Sequence, residues 1–287
     1  MKKVKLGIIG GSGLYDIDGL KNIEKIAVET PFGNPSSELI SGILKSMPIC
    51  FLPRHGKGHT ISPSEINYRA NIYAMKKLGV THIVSVSAVG SLKEELVPGD
   101  FLAVDQFIDR TKGIRESTFF SGGIVGHVGF ADPVCSNLRV DLIKAAKDIG
   151  RKIHEKGTYV CMEGPQFSTR AESNLYRSWG ADVIGMTNIP ESKLAREAEI
   201  CYATLALITD YDCWKEEEKA VSVEAVIATL NQNVAGAKKI IQALPDFIKN
   251  KENCMCESAL KYAIMTKRDL ISEKMKQELE PLVGKYF

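Results

Sequence analysis

The stretch Ala203-Thr-Leu-Ala-Leu-Ile-Thr209 is followed at once by Asp210-Tyr211-Asp212. The apolar run predicts a buried strand that ends in two carboxylates. In an open α/β sheet, ligands bind beyond the carboxyl ends of the strands. Asp210 and Asp212 are two residues apart, so in an extended backbone their side chains point the same way. The alternative is an acidic turn with solvated carboxylates, because aspartate favours turns.

The rest of the chain alternates between strand and helix patterns, which predicts one α/β domain with a mostly parallel sheet flanked by helices. Strands are predicted at 4–9, 39–52 (a hairpin), 82–88, 101–107, 158–162, 182–186 and 203–209. Helices are predicted at 66–78, 138–149, 171–179, 192–198 and 223–244. We place the domain at 1–248. Residues 249–287 are expected to form a polar connector and a helical tail, with helix over 258–283.

The composition excludes several classes of function. The chain has 287 residues and a net charge of +2, which is too balanced for a nucleic-acid-binding protein. No apolar run reaches the roughly 18 residues that a membrane helix needs. The N-terminus lacks the pattern of a signal peptide, so a cytoplasmic location is expected.

Cysteine spacing leaves the redox state open. Of the seven cysteines, Cys254 and Cys256 stand out because they lie in the polar connector. A metal knuckle normally needs a second cysteine pair, and no such pair is evident in the sequence, so no metal is expected. A Cys-x-Cys bridge and simple free thiols are both compatible with the sequence.

Gly10-Gly11-Ser12-Gly13 follows the first predicted strand. The turn fits neither the dinucleotide fingerprint nor the P-loop. It can still present backbone N–H groups and the Ser12 hydroxyl to an anion. A tight turn without a ligand is the alternative.

A second set of polar residues also follows strands. Arg54 has the geometry to bind phosphate, and His55 is next to it. A metal site at His55 and His59 is disfavoured because Gly56 and Gly58, which lie between them, oppose a helix and no third ligand is obvious. The alternative is a solvated basic loop. Together the candidates for a phosphate pocket are Ser12, Arg54, His55, Ser87 and Thr187.

Several dispersed motifs resemble the methylthioadenosine phosphorylase branch of the trimeric purine nucleoside phosphorylases. The resemblance extends to about Leu244 and is carried by Gly7-Ile-Ile-Gly-Gly-Ser-Gly-Leu14, Thr30-Pro-Phe-Gly-Asn-Pro-Ser36, Arg54-His-Gly56, Ile66-Asn-Tyr-Arg-Ala-Asn-Ile72, Asp105-Gln-Phe-Ile-Asp109, Glu163-Gly-Pro-Gln-Phe-Ser-Thr-Arg-Ala-Glu-Ser173 and Thr209-Asp-Tyr-Asp-Cys-Trp214. It implies a single-domain nucleoside phosphorylase fold with a mixed sheet. It also implies a homotrimer or a dimer of trimers (a homohexamer).

The resemblance implies a reaction in which phosphate, a co-substrate, attacks C1′ of 5′-methylthioadenosine and releases adenine. No metal or organic cofactor is implied. Phosphate would be held by Ser12, Arg54, His55, Ser87, Ala88 and Thr187. The nucleoside would contact Phe167, Ser168, Met186, Asp210, Tyr211, Asp212, Val223 and Val226, with His127 reaching in from a neighbouring subunit.

Asp210 is the expected general acid, because negative charge develops on the purine as the glycosidic bond breaks. A raised pKa is expected next to Asp212, since neighbouring carboxylates resist joint ionisation. Ser168 and Asp210 match the pattern of members that act on adenine rather than on 6-oxopurines. Val223 and Val226 would form an apolar wall that suits a methylthio group and leaves a 5′-hydroxyl unpaired.

Thermophilic relatives carry disulfides, which makes Cys254–Cys256 and Cys135–Cys201 candidate bridges by resemblance. The region after Ser258 is expected to depart from the family pattern.

Other functions stay open at this point. The nearest is a purine nucleoside phosphorylase acting on adenosine or inosine, followed by a nucleosidase that uses water. A nucleotide sensor or an NAD-dependent oxidoreductase is the more distant alternative, and the broken glycine fingerprint argues against the oxidoreductase.

Overall fold

The computed structural model describes residues 4–215, 223–248 and 254–287. A mixed, mostly parallel sheet runs through this part of the chain and is flanked by helices, as the alternation predicted. Its strands are β1 (Leu6–Gly10), β2 (Lys21–Ile26), β3 (Leu39–Leu44), β4 (Met47–Pro53), β5 (His82–Ser91), β6 (Phe101–Val104), β7 (Gln106–Arg110), β8 (Ile153–His154), β9 (Thr158–Met162), β10 (Val183–Gly185) and β11 (Cys201–Asp210).

Helices cover the sheet on both faces. They are α1 (Tyr68–Lys77), α2 (Ser136–Asp148), α3 (Arg170–Ser178), α4 (Asn188–Glu197), α5 (Val223–Ala243), α6 (Glu273–Glu278) and α7 (Glu280–Val283). Side chains fix where two of them begin. Asn67 accepts a hydrogen bond from the Ala70 N–H of α1, and Thr169 and Glu172 form a capping box on α3.

The two central strands are β5 and β11, which pair in parallel from Cys201↔His82 onward. All but the last residue of β11 are buried, as expected for a strand covered on both faces. On its other edge, β5 changes partner. Its first half pairs with β1 and its last two residues pair with β10. The edge of β5 between these two partners is a topological switch point, the place where α/β sheets bind ligands.

One predicted strand is two strands in the structure. The stretch 101–107 divides at Asp105 into β6, which pairs with β11, and β7, which pairs with β9. The chain crosses from one branch of the sheet to the other here, which hydropathy alone does not reveal. The edge strand β2 also escaped prediction, because its mostly exposed side chains include charged residues and lack a clear apolar alternation.

The prediction of a helix over 258–283 is wrong. This segment consists of 3-10 turns and the short helices α6 and α7. Its apolar side chains pack into the same cluster as residues of α1 and β4, including Leu260, Ala263, Ile271, Leu279, Leu282 and Val283. The segment gains its order from packing rather than from helix propensity.

A single buried carboxylate helps to hold this tail. Glu199 accepts hydrogen bonds from the Leu260 N–H at 3.0 Å and from the Tyr286 hydroxyl at 2.6 Å. Lys285 Nζ lies 2.5 Å from the same carboxylate. No helix within the described ranges has the length and apolar character needed to cross a bilayer; the cytoplasmic location stays a prediction.

A buried ion pair fixes α4 against the sheet beside the switch point. Arg54, directly after β4, is 2% exposed, and Glu191 of α4 is 1% exposed. Arg54 Nε donates to Glu191 Oε2 at 2.8 Å, and Nη2 donates to Oε1 at 3.1 Å. The remaining contacts of this guanidinium reach Ile9 O, Ser85 Oγ and Val86 O, so it links β1, β5 and α4.

We expect Glu191→Gln to lower the free energy of unfolding by about 3–5 kcal/mol, because it leaves the buried Arg54 charge without a counter-ion. Urea denaturation at a fixed protein concentration measures the change. The paired variant Arg54→Met/Glu191→Leu removes both charges and should recover most of the loss. Unfolding of Glu191→Gln at the wild-type urea concentration would contradict this account.

Candidate functional site

A cavity of about 610 Å³ opens at the switch point between β5 and its neighbours. Its walls come from the turn after β1, the loop after β4, the end of β5, the 185–187 turn, the end of β11 and helix α5. Of the predicted site residues it brings together Arg54, His55, Ser87, Ala88, Phe167, Met186, Thr187, Asp210 and Asp212.

Hydroxyl groups gather on one side of this cavity. Ser87 Oγ lies 3.2 Å from Thr187 Oγ1 and 3.2 Å from the hydroxyl of Tyr159. Tyr159 is fully buried and was not anticipated. Because hydroxyls both donate and accept, this cluster can turn its donors toward an anion.

Arg54 lines the same part of the cavity, but few of its N–H groups are left to donate to a ligand. Glu191 and the acceptors of β1 and β5 take both of its Nη groups and its Nε. Arg54, which the sequence predicted to bind phosphate as a cation, therefore forms an ion pair with Glu191 that carries no net charge. Glu191 gives no sequence signal, because it lies directly before a predicted helix as one acidic residue among many.

His55 is held in a defined tautomer. Its Nδ1 lies 2.8 Å from Ile61 O, and a carbonyl can only accept, so Nδ1 carries the proton. Burial and, after it, the nearby Arg54 charge lower the pKa of His55 to about 4. The neutral ring thus keeps Nε2 as an acceptor. His59, which also lines the cavity, stacks on His55 with ring centroids 4.1 Å apart.

Asp210 and Asp212 meet at the far end of β5. The Asp212 N–H donates to Asp210 Oδ1 at 2.8 Å, and the Thr209 hydroxyl donates to Asp210 Oδ2 at 2.6 Å. Both side chains line the cavity, as predicted. The expectation that they do so from an extended backbone is wrong. Asp212 lies in a turn with φ of +52°, a conformation that aspartate tolerates better than most residues.

The surroundings of Asp212 favour its protonated form. Burial and the charge of Asp210 raise the pKa of Asp212. The Ser173 hydroxyl acts in the opposite direction and lowers the pKa of Asp212, although its geometry does not form a hydrogen bond. Among the described residues, Asp212 Oδ2 is buried and has no hydrogen-bond partner. A buried polar atom in this state is costly unless a ligand or a proton satisfies it.

Gly90 makes room for the two carboxylates. A side chain on it would bring Cβ within 2.9 Å of Asp210 Oδ1 and 3.3 Å of Asp212 Cβ. The pairing of β11 with β5 is also irregular between Ile208 and Asp210, where the register shifts before Asp210 meets Gly90. Bulges of this kind re-aim side chains next to active sites.

Three predicted contact residues do not line the cavity. Ser168 donates to Met162 Sδ at 3.5 Å, and Tyr211 is 7% exposed with its hydroxyl bonded to Glu94 O. Tyr211 packs against Trp214 and belongs to the core, so its side chain is directed away from the cavity, and its role as a substrate-binding residue stays a prediction. His127 is exposed on another part of this chain.

The side chains of Ser12, Val223 and Val226 lie outside what the structure describes. Gly11 and Gly13 on either side of Ser12 line the cavity. Helix α5 contributes residues that the sequence reasoning missed: Leu230, Asn231 and Val234. The apolar spacing of Leu230 and Val234 was visible in the sequence, but it equally fits a buried helix face in the core.

The cysteine predictions meet a different arrangement. Cys135, Cys201, Cys254 and Cys256 come together with all four Sγ atoms within 4.8 Å of one another. The premise that no second cysteine pair exists is therefore wrong, because the fold supplies one from distant positions. The four are free thiols in this structure, and the two disulfides stay predictions.

Comparisons with known proteins agree with the fold. Residues 5–245 match the family model of the phosphorylase superfamily. An S-methyl-5′-thioadenosine phosphorylase of Geobacter sulfurreducens is 59% identical over 281 residues, which cover 98% of this chain and 98% of the relative. Because this match includes the tail, the expectation that the region after Ser258 departs from the family is wrong.

Solved structures give the same result. A methylthioadenosine phosphorylase from an antarctic soil metagenomic library superposes with a TM-score of 0.93 at 49% identity, covering 98% of this chain and 99% of that one. A methylthioadenosine phosphorylase from Schistosoma mansoni in complex with adenine has a TM-score of 0.86 at 41% identity, covering 93% of this chain and 100% of its own. The chain belongs to the phosphorylase superfamily and, within it, to the S-methyl-5′-thioadenosine phosphorylase family.

Proposed function

We propose that this protein catalyses the reversible phosphorolysis of 5′-methylthioadenosine to adenine and 5-methylthioribose 1-phosphate. The observation that carries the proposal is one cavity with hydroxyl donors at one end and a carboxyl pair at the other. Ser87 and Gly90, the latter paired with Asp210, are three residues apart on β5, which corresponds to about 10 Å. That separation leaves room for a ribose between a phosphate and a purine.

Phosphate binds at the hydroxyl end through Ser87, Thr187, the main chain at Ala88 and the turn that carries Ser12. Arg54 is already paired with Glu191, so neutral donors provide most of the hydrogen bonds. His55 Nε2 accepts the remaining proton of HPO₄²⁻, because its Nδ1 proton is committed to Ile61 O. This arrangement selects the monoprotonated dianion.

The purine binds at the carboxyl end. A phosphate oxygen forms a bond to C1′ while the C1′–N9 bond breaks and its electron pair passes to the purine. Asp210 gives its proton to N7, which neutralises the leaving group. The raised pKa of Asp212 keeps a proton on the pair to higher pH than two separate carboxyls would. The second oxygen of Asp210 accepts a hydrogen bond from the 6-amino group, and the unpartnered Asp212 Oδ2 is a further acceptor for it.

The 5′ substituent lies against α5. Val223, Val226, Leu230 and Val234 follow a spacing of three, four and four residues, which places them on one helix face. Leu230 and Val234 line the cavity, and this supports assigning Val223 and Val226 to the same wall. An apolar wall accepts methylthio and gives a 5′-hydroxyl no partner.

Self-association as a trimer or a dimer of trimers is part of the proposal. His127 is exposed, and exposed apolar side chains lie near it: Val125 is 48% exposed, and Met265, whose N–H donates to Val125 O, is 64% exposed. An exposed apolar patch of this kind suits a subunit contact. His127 would then enter a neighbouring subunit's 5′ pocket.

Ser168 and Phe167 contact the base from the 163–169 loop.

Initial rates with methylthioadenosine, adenosine and inosine, each with and without phosphate, test the function. We expect turnover only with phosphate, and the highest kcat/KM for methylthioadenosine. Adenine release that is undiminished without phosphate would indicate a nucleosidase. An equal kcat/KM for inosine would indicate a broad nucleoside phosphorylase.

Asp210→Asn should lower kcat/KM for methylthioadenosine by about 10²–10⁴-fold, because an amide cannot deliver the proton to N7. It should also raise the relative rate with inosine, since an amide can donate to a 6-oxopurine. Asp246→Asn, an exposed aspartate outside the cavity, is the matched control. Selectivity identical to wild type would count against Asp210 as the residue that reads the base.

The His55 signals in NMR spectra should hardly shift between about pH 8 and about pH 5, because burial lowers the His55 pKa to about 4. The His55→Gln variant assigns the signals. The unfolded chain takes up this proton near the ordinary value of 6.5, so stability falls as pH drops from there toward 4. His55→Gln should flatten that pH dependence; titration of His55 near 6.5 would refute the depressed pKa.

A further inference from the structure

The four clustered cysteines come from three separate parts of the fold. Cys135 is the residue directly before α2, and Cys201 begins β11. Cys254 and Cys256 lie at the start of the tail, on a 3-10 turn that spans Met255–Ser258. The Cys135 N–H donates to Tyr202 O at 2.8 Å, which fixes the start of α2 against β11. Two rigid elements and one turn thus set the positions of the four sulfurs.

The distances between the sulfurs match a tetrahedral metal site. Cys254 Sγ lies 3.7 Å from Cys135 Sγ and 3.5 Å from Cys201 Sγ. A Zn–S bond of about 2.3 Å in a tetrahedron requires sulfurs about 3.8 Å apart. All pairs in the cluster lie within 4.8 Å, so small side-chain movements suffice to surround one ion.

The surroundings also suit a closed thiolate site. Cys135, Cys201 and Cys256 are buried, and Cys254 is half-buried. The sulfur of Cys135 lies at the N-terminus of α2, where the helix dipole favours a thiolate. Cys135, Cys254 and Cys256 also line a cavity of about 430 Å³, which gives an ion a route from the surface.

We propose that Cys135, Cys201, Cys254 and Cys256 bind one structural Zn²⁺ ion as four thiolates. An all-sulfur tetrahedral site selects zinc or iron among common metals, and the redox-inert zinc is the structural choice. The four thiol protons pass to water as the metal binds, and no oxidant or reductant takes part. Four protein ligands leave no open position, so the site has no catalytic role.

The ion joins the tail to the body of the protein. The segment after Cys256 pairs its main chain with the loop that carries His127, through His127 N to Ala263 O and Met265 N to Val125 O, both at 2.9 Å. The cluster lies at the start of β11 and Asp210 at its end, about 30 Å apart for ten residues. The zinc site is therefore separate from the phosphorolysis site, and its test does not depend on the proposed activity.

Metal analysis of the full chain, prepared without an affinity tag, chelator or thiol reagent, tests the proposal. We expect stoichiometric zinc in the wild type and about tenfold less or lower in Cys254→Ser. Cys213→Ser is the matched control, because Cys213 is also half-buried but lies outside the cluster. It should retain the zinc. Iron in place of zinc would overturn the assignment.

A second measurement uses the folded wild type and does not require a stable variant. The protein is reduced with a phosphine, freed of metal and titrated with Co²⁺. We expect the visible absorption of tetrahedral cobalt together with sulfur-to-cobalt charge transfer in the near ultraviolet, and displacement of cobalt by zinc. Absence of these bands would overturn the proposal. So would an intact mass of freshly isolated, unreduced protein that shows the two disulfides.

Discussion

The buried pair of Arg54 and Glu191 is the constraint on which the site depends. Each residue is almost fully buried, and neither charge is tolerable there without the other. The pair joins the loop after β4 to α4, while further hydrogen bonds of Arg54 reach β1 and β5. Because these elements form the end of the cavity that carries the hydroxyl groups, one ion pair sets the spacing of the side chains that we propose to hold phosphate. In that proposal the pair also leaves phosphate binding mainly to neutral donors.

A second buried pair supports the 185–187 turn in the same way. Arg115 Nε donates to Glu163 Oε1 at 2.7 Å, and the guanidinium also donates to Met186 O and Ile189 O. The turn that carries Met186 and Thr187 is thus fixed before any ligand binds. Preorganised donors of this kind need no rearrangement during the reaction, which is where much of the catalytic advantage of an enzyme arises.

Much of the fold could be predicted from periodicity, because each central strand and long helix has its own hydrophobic pattern. The division at Asp105 could not, since it depends on which strands pair on either side of it. The tail could not either, because its order comes from contacts with α1 and Glu199 rather than from local propensity. At the site, the strand-end residues Ser87 and Asp210 were predictable by position, whereas Glu191 and Tyr159 look like ordinary helix and strand residues.

The sequence by itself determined the α/β class, the family and the chemical identity of both ends of the cavity, because those depend on local pattern and residue type. Only the tertiary structure decided the state of those groups. The pairing of Arg54 joins it to Glu191, which is distant in the chain, while the neutral His55 and the raised pKa of Asp212 follow first from burial, which only the fold creates. The same holds for the four cysteines, whose separation along the chain hides a cluster that folding assembles. Electrostatics and coordination depend on distance in space, which sequence separation does not report.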